Sequence, residues 1–288
     1  GEIPILSCYS TLLIFSLLLD NIFKSKMNLI TPGLKAVEVE NLSKRKGRNL
    51  VLEGVNLTVE RGELVGLFGR AGAGKTTLLN ILASLEKPDE GKVTLLGITS
   101  KAGKRLPFQE MGVWLEEDYL IPFLTIWQNL VFLSACLGIP WRGRKGLITR
   151  ALSSAGIWEM RTRTIESLSL RERGIVKVVM ATFHNPSLLL LDEPESELDS
   201  RGVKFLFKEV YRLKEERNAG ILWASSKGEL FENADRIAVL EKGKIVAFDT
   251  PFNLKKLIHQ ELYEVKGTPS HSLPLNEVLH SLIGGRYG

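Results

Sequence analysis

Residues 69–77 read Gly-Arg-Ala-Gly-Ala-Gly-Lys-Thr-Thr and fit the phosphate-binding pattern G-x-x-x-x-G-K-[ST]. An apolar run precedes them at residues 64–68, and residues 78–82 follow with helical spacing. This context predicts the strand, tight turn and helix that the pattern requires. The glycines at 69, 72 and 74 allow backbone N–H groups to converge on phosphate oxygens without Cβ clashes.

Two side chains of this loop have chemistry suited to a nucleotide. Lys75 supplies a positive charge for the β- and γ-phosphates, and the Thr76 hydroxyl is a ligand for Mg²⁺. The helix that starts near Gly74 adds its positive N-terminal end.

A second group of candidate residues follows four consecutive leucines at 188–191, which predict a strand buried on both faces. Asp192 and Glu193 come directly after it. Ligands bind where strands of an α/β sheet end. We therefore expect Asp192 to hold Mg²⁺ and Glu193 to act as the general base that polarises the attacking water.

Composition narrows the class of protein. The 288 residues are 44% hydrophobic and 25% charged, as in globular proteins, and the net charge of +5 is spread out. The absence of a basic cluster argues against a nucleic-acid partner. The two cysteines, Cys8 and Cys136, show no metal-ligand spacing, and we expect Cys136 to be a buried thiol.

The order of elements frames the phosphate-binding and acidic segments. Strands are predicted near residues 37–42, 50–59, 92–96, 111–115, 220–224, 237–240, 244–248 and 262–265. Residues 122–184 read as mostly helical, with a break at 140–143, and further helices are predicted at 200–217, 251–258 and 275–282. Residues 1–26 are an apolar extension that fits a gene-calling artefact, the end of something upstream or a weak membrane anchor.

Four further stretches give these motifs a family resemblance. Residues 37–44 resemble the opening strand of the ATP-binding cassette (ABC) transporter ATPases, and residues 191–199 their acid strand and D-loop. Residues 124–130 resemble the start of their helical subdomain, and residues 241–246 their closing hairpin. The similarity runs from about residue 36 to residue 258 and is closest to the ABC-2 exporter type.

The resemblance implies a P-loop NTPase fold of the α/β class, with a mostly parallel core sheet, an antiparallel β subdomain and a helical subdomain at about 117–184. It implies an ATPase domain at 27–258 and an interrupted C-terminal extension at 259–288. In this family two cassettes meet head to tail, with each ATP between the phosphate loop of one and the signature segment of the other. The implied ATP-binding residues are Gly69, Arg70, Ala71, Gly72, Ala73, Gly74, Lys75, Thr76, Thr77 and Ser169. The implied Mg²⁺ ligands are Thr76, Asp192 and Glu116, and the implied catalytic residue is Glu193.

The chain departs from the family in its signature segment, residues 168–172. The usual Leu-Ser-Gly-Gly-Gln is here Leu-Ser-Leu-Arg-Glu, so Ser169 remains but both glycines are replaced. The Cβ atoms of Leu170 and Arg171 should obstruct the approach of backbone N–H groups to the partner's γ-phosphate.

Three other departures concern single positions. The switch histidine is replaced by a serine, with Ser226 the better match and Ser225 the alternative, and serine carries no proton near neutral pH. The aromatic residue that stacks on adenine is replaced by Lys46, and the Mg²⁺-sensing glutamine by Glu116. We expect weaker adenine binding, and little effect at Glu116 because a carboxylate also coordinates Mg²⁺.

These departures favour an asymmetric arrangement. We expect a peripheral ATPase on the cytoplasmic face of a membrane, paired with a membrane-spanning subunit and a second, non-identical cassette, and resembling the first cassette of a tandem-cassette protein. Apolar Leu120, Ile121, Phe123 and Leu124 suit either a groove for the membrane subunit or ordinary core packing. The main alternative is a regulatory module that binds ATP but hardly turns it over. A soluble ABC ATPase of translation or DNA repair lacks supporting features.

Overall fold

The computed structural model describes residues 35–99, 107–116, 119–257 and 273–283. Two sheets and a helical layer make up this part of the chain. The predicted strand at 262–265, the apolar extension at 1–26, Cys8 and residue 258 lie outside the described residues.

The central sheet has six strands in the order β10-β9-β3-β8-β7-β6. The strands are β3 (Leu64–Phe68), β6 (Met111–Trp114), β7 (Leu188–Asp192), β8 (Gly220–Ser225), β9 (Arg236–Glu241) and β10 (Lys244–Asp249). All neighbours pair in parallel except β9 and β10, which form an antiparallel hairpin. Every residue of β3, β7 and β8 is buried, because this sheet is covered on both faces, and this explains their continuous apolar runs.

The second sheet is antiparallel, in the order β2-β1-β4-β5. Its strands are β1 (Val37–Lys46), β2 (Asn49–Val59), β4 (Glu90–Leu95) and β5 (Ile98–Thr99). Alternate residues at the start of β1 point into the core, as the period of an antiparallel strand with one solvated face requires. Strand β2 also contacts the central sheet, since the N–H of Glu53 donates to the carbonyl of Gly243 over 2.9 Å.

Helices cover the central sheet and form a separate layer. They are α1 (Lys75–Leu82), α2 (Ile126–Cys136), α3 (Trp141–Ser154), α4 (Leu170–Thr182), α5 (Ser200–Arg217), α6 (residues 251–257) and α7 (Leu275–Leu282). Helices α2, α3 and α4 share their own hydrophobic cluster, which includes Ile126, Leu130, Ile148, Leu152 and Val176. This layer corresponds to the predicted helical region.

The predicted helical run differs from the structure in two details. Trp141 begins α3, with Pro140 as its N-cap, so the break falls at residues 137–140 and not at 140–143. Proline is compatible with a helix start because its missing N–H would have no partner there. Residues 155–169 form turns and short 3₁₀ segments instead of α-helix.

The thiol of Cys136 is buried, as expected, and its burial raises the pKa of this group. Of the four apolar residues proposed for a groove or for core packing, Leu120 is buried, while Ile121 and Leu124 are half-buried. Phe123 alone is widely exposed, at 65%. No helix within the described ranges is long and apolar enough to cross a membrane.

Candidate functional site

The phosphate loop joins the carboxyl end of β3 to α1 and depends on two close backbone approaches. A Cβ atom on Gly69 would lie 2.6 Å from the carbonyl oxygen of Leu240, and one on Gly74 would lie 3.0 Å from that of Val51. Gly74 also has φ of 110°, which side-chain-bearing residues rarely adopt. The N–H of Gly243 donates to the carbonyl of Ala73 over 3.0 Å, so the β9–β10 turn supports the loop from outside.

Lys75 is a buried, hydrogen-bonded cation of the loop. It is 5% exposed, and its Nζ donates to the carbonyl oxygens of Gly69 and Arg70 over 2.7 and 3.2 Å. The same Nζ lies 3.0 Å from Oε1 of Glu193. The loop therefore positions a buried ammonium directly beside the acid that follows β7.

Asp192, at the end of β7, is 6% exposed, and both its carboxyl oxygens are buried without a hydrogen-bond partner. Burial raises the pKa of Asp192, and the negative charge of Glu193 raises it further. The nearby Thr76 hydroxyl opposes the rise, although it makes no hydrogen bond of ordinary geometry to this carboxyl group. The positive charge of Lys75 lowers and the negative charge of Glu116 raises the pKa of the same carboxyl group. A buried carboxylate without a partner is costly, and a bound cation is one way to satisfy it.

This arrangement fits a magnesium ion held jointly with a nucleotide. In the described ranges, no three His, Cys, Asp or Glu side chains form a group able to hold a metal by themselves. Mg²⁺ typically needs only one or two carboxylates, because phosphates and water complete its octahedral shell. Asp192, the Thr76 hydroxyl and Glu116 are donors of the required kind.

Glu193 adopts an unusual backbone conformation, with φ of 43° and ψ of 44°. This left-handed conformation is uncommon for a residue with a side chain and often marks functional sites. Its N–H donates to the carbonyl of Ala224 over 2.9 Å, which holds the residue against β8. The side chain is 39% exposed, so the carboxylate faces both Lys75 and solvent.

The other candidate residues of the loop differ in exposure. Arg70, Ala71 and Gly72 lie at its tip and are exposed, whereas Ala73 and Thr77 are buried at its base. Lys46, at the end of β1, is exposed and forms an ion pair with Glu86, with 3.0 Å between Nζ and Oε1.

Ser169 lies apart from the phosphate loop, at the start of α4. It forms a capping box with Glu172, in which its N–H and its hydroxyl donate to Oε2 over 2.7 and 2.9 Å. The backbone hydrogen bond from Ser169 is the main cause of a lowered pKa for Glu172, so this carboxyl group is charged near neutral pH. Leu170 follows with 61% exposure.

The two serines that match the switch histidine differ in environment. Ser225 is fully buried, and its hydroxyl donates to Glu195, while Ser226 is partly exposed. Glu195 is a residue that sequence reasoning missed as a member of this site. It is 7% exposed, and the only sequence signal was a third acid within residues 192–195.

Comparison with known proteins gives a family match. The family model described as ABC transporter matches residues 52–196, half of the chain. The Nod factor export ATP-binding protein I of Rhizobium etli is 29% identical over 87% of this chain and 78% of its own length. The Fe(3+) ions import ATP-binding protein FbpC of Escherichia coli is 28% identical over 76% of this chain, and the galactose/methyl galactoside import protein MglA of Treponema denticola is 34% identical over 73%. The matches span only 63% and 43% of these two import proteins.

Solved structures agree on the fold. An ATP-binding subunit of an ABC transporter superposes with a TM-score of 0.73 at 24% identity, covering 86% of this chain and 99% of that one. A dimeric ATP-binding cassette in a post-hydrolysis state with ADP and Pi superposes with a TM-score of 0.67 at 25% identity, over 74% and 98% of the two chains. With its phosphate loop, paired acids and two-sheet core, this chain belongs to the ABC transporter family and contains that family's ATP-binding cassette.

Proposed function

We propose that this chain is the ATPase subunit of an exporter, attached to the cytoplasmic face of a membrane through a separate membrane-spanning subunit. The proposed cassette covers residues 27–258, with a helical subdomain at about 117–184 and an extension at 259–288. The observation that carries the proposal is the convergence of Lys75, Asp192 and Glu193 at the ends of β3 and β7.

In the proposed reaction, the loop residues hold the phosphates of ATP. Backbone N–H groups of residues 69–77 and the Lys75 ammonium bind the β- and γ-phosphates, while Thr76, Asp192 and Glu116 hold Mg²⁺. The ion supplies charge neutralisation for the phosphate oxygens when bound. The Asp192 carboxylate then gains the partner that both of its oxygens lack.

Glu193 is the proposed general base. Its carboxylate is paired with Lys75, and binding of phosphates to Lys75 would release it to accept a hydrogen bond from water. The water oxygen then bonds to the γ-phosphorus as the bond to the β–γ bridging oxygen breaks, and the water proton passes to Glu193. The products are ADP and inorganic phosphate.

The signature segment supports a non-identical partner. The Ser169 hydroxyl donates a hydrogen bond to the charged carboxylate of Glu172. Leu170, whose side chain is exposed, stands where the family has a glycine. A γ-phosphate from a partner's ATP would meet negative charge and a side chain there. Two copies of this chain would form two such poor sites, whereas a partner with an intact signature would complete this chain's loop.

The export direction has its own support. The match to the Nod factor export protein covers 78% of that protein, more than the 63% and 43% covered in the two import proteins.

The second candidate function is a regulatory module that binds ATP with little turnover. Ser226 in place of the histidine and the occupied Ser169 favour it.

The first experiment measures steady-state ATP hydrolysis by the full chain, alone and assembled with its membrane-spanning and cassette partner subunits. We expect turnover in the assembly, and a loss of at least about tenfold in Glu193→Gln when the acid acts as base. ATP binding without Glu193-dependent turnover in any assembly would leave the regulatory module.

A second experiment tests asymmetry in the Glu193→Gln background. Adding Leu170→Gly, Arg171→Gly and Glu172→Gln to this chain restores the family sequence that faces the partner's nucleotide and removes the charge beside the Ser169 hydroxyl. We expect turnover to return, now catalysed at the partner's own phosphate loop. In a pair of identical chains both copies would carry Glu193→Gln, neither site would have a base, and no turnover could return. Continued inactivity would therefore refute a competent, non-identical partner.

A further inference from the structure

A buried acid lies two residues beyond the proposed base. Glu195, in the 3₁₀ turn Pro194–Ser196, points into the core, and its carboxylate accepts hydrogen bonds from the side chains of β8. The Ser225 hydroxyl donates to Oε1, and the Trp223 indole N–H donates to Oε2 over 3.1 Å. We propose that Glu195 is a positioning residue of the hydrolytic site, which holds Glu193 and the end of β8 together as one unit.

The end of β8 connects three parts of the site. The carbonyl of Ala224 accepts the N–H of Glu193, and the carbonyl of Ser225 accepts the N–H of Gly69 over 3.4 Å. The hydroxyl oxygen of Ser225 also accepts the N–H of Lys227 over 2.9 Å, where the chain passes Ser226 and leaves the strand. Glu195 thus connects through Ser225 to the phosphate loop and to the segment that contains Ser226, and through the neighbouring Ala224 to the base.

The partners of Glu195 are themselves rigidly placed. Trp223 is fully buried, with its ring 4.8 Å from that of Phe207 and 6.3 Å from that of Phe231, measured between centroids. A carboxylate accepts hydrogen bonds at both oxygens, so it satisfies two buried donors that arrive from one strand. An apolar side chain at this position would leave both donors without a partner in the core, which is costly.

Glu193 needs such support because its backbone is in the left-handed region. Residues in that region persist only where their surroundings over-determine them. The N–H of Glu193 donates to Ala224, and its carbonyl accepts the N–H and the hydroxyl of Ser196 over 3.0 and 2.7 Å. The side chain of Glu195 adds a side-chain anchor to β8 from the other side of Pro194. Small displacements of a base lower the rate of the chemical step more than the affinity for substrate.

The inference rests on the proposed ATPase function, and its test uses the assembled complex that shows Glu193-dependent turnover. The variants are Glu195→Leu, Glu195→Gln and Ser225→Ala. The matched control is Ser187→Ala, because the Ser187 hydroxyl also donates to a carboxylate, Oε2 of Glu110, over 2.7 Å but at the opposite end of β7. The measurements are kcat and KM for ATP, with thermal unfolding of each variant.

We expect Glu195→Leu and Ser225→Ala to lower kcat at least about tenfold while KM changes less than about threefold, as displacement of a base predicts. Glu195→Gln should recover at least about threefold over Glu195→Leu, because its amide oxygen still accepts one of the two donors. Ser187→Ala should match the wild type in kcat.

Normal Glu193-dependent turnover in Glu195→Leu would overturn the inference and leave the ATPase function intact. A similar loss in Ser187→Ala, or a loss confined to KM, would also overturn it, since the effect would then be general destabilisation or weaker binding. Wild-type turnover that does not depend on Glu193 would refute the proposed function and this inference together. If Glu195→Leu does not fold, Glu195→Gln and Ser225→Ala decide by the same criteria.

Discussion

Replacing Asp192 with asparagine should stabilise the protein without nucleotide. The carboxylate is buried, neither oxygen has a hydrogen-bond partner, and both Glu193 and Glu116 disfavour its charged form. Asp192→Asn keeps the shape and removes the charge, although the amide still lacks partners. We expect a gain of about 1–2 kcal/mol in the free energy of unfolding, a typical gain when a strained functional site is relieved.

Magnesium and ATP should reverse this order. A ligand at about 100 times its Kd adds about 2.7 kcal/mol to the stability of a protein that binds it only when folded. The wild type should show this gain, and Asp192→Asn should show far less because it has lost a charged ligand for the ion. The assay is urea denaturation, once with EDTA and once with MgATP.

The matched control is Glu63→Gln. Glu63 is buried to a similar extent, but its carboxylate is paired with Arg236, with 2.8 Å between Oε2 and Nη2. Removing that charge should destabilise the protein by about 2 kcal/mol, because the arginine loses its partner. The reasoning is refuted if Asp192→Asn is less stable than the wild type in EDTA, or if both gain equally from MgATP.

Three further predictions concern other sites. Gly74→Ala should weaken ATP binding at least about tenfold by calorimetry. The new Cβ in Gly72→Ala meets nothing within 4 Å, so its backbone strain should cost only about 1 kcal/mol of the binding free energy, and equal effects of the two variants would contradict the packing argument. Burial lowers the pKa of His184 to about 4, so below pH 6.5 the unfolded chain binds a proton that the folded chain does not. The free energy of unfolding should therefore fall by about 1.5 kcal/mol from about pH 6.5 to about pH 5, relative to His184→Gln. The same pH dependence of stability in the wild type and the variant, measured by urea denaturation, would disprove this. Glu197→Gln should lower the free energy of unfolding by about 2 kcal/mol in urea denaturation, because both oxygens of Glu197 lie 2.8 Å from the buried Lys177 ammonium. The double variant Lys177→Met with Glu197→Leu should recover most of that loss, and no loss in Glu197→Gln would show that the ion pair is unimportant.

Periodicity predicted the elements that are long or buried on both faces. The leucine run of β7 and the amphipathic α5 lie where the sequence pattern predicts them, because the apolar residues that form the pattern are also the residues that are buried. The break before α3 was misplaced by a few residues, since Pro140 both ends a loop and caps a helix.

The site was predictable only where a motif is contiguous. Residues 69–77 and the pair Asp192 and Glu193 follow from local patterns, and the parallel sheet brings their strand ends together. Glu195 could not be found in this way, because its partners Trp223 and Ser225 lie 28 and 30 residues away on another strand. The capping box of Ser169 and Glu172, by contrast, fits the contiguous pattern Ser-x-x-Glu that precedes a helix.

The position of β3 in the central sheet has a consequence for synthesis of the chain. Both of its neighbours, β8 and β9, come much later in the sequence, from residue 220 onward, and the turn that supports Ala73 includes Gly243. The phosphate loop, although encoded in the first third of the chain, therefore cannot adopt its final shape until residues near 243 have left the ribosome. A nascent chain would remain unable to capture nucleotide until β8, β9 and the turn after β9 have been made, and nucleotide could stabilise only a nearly finished cassette.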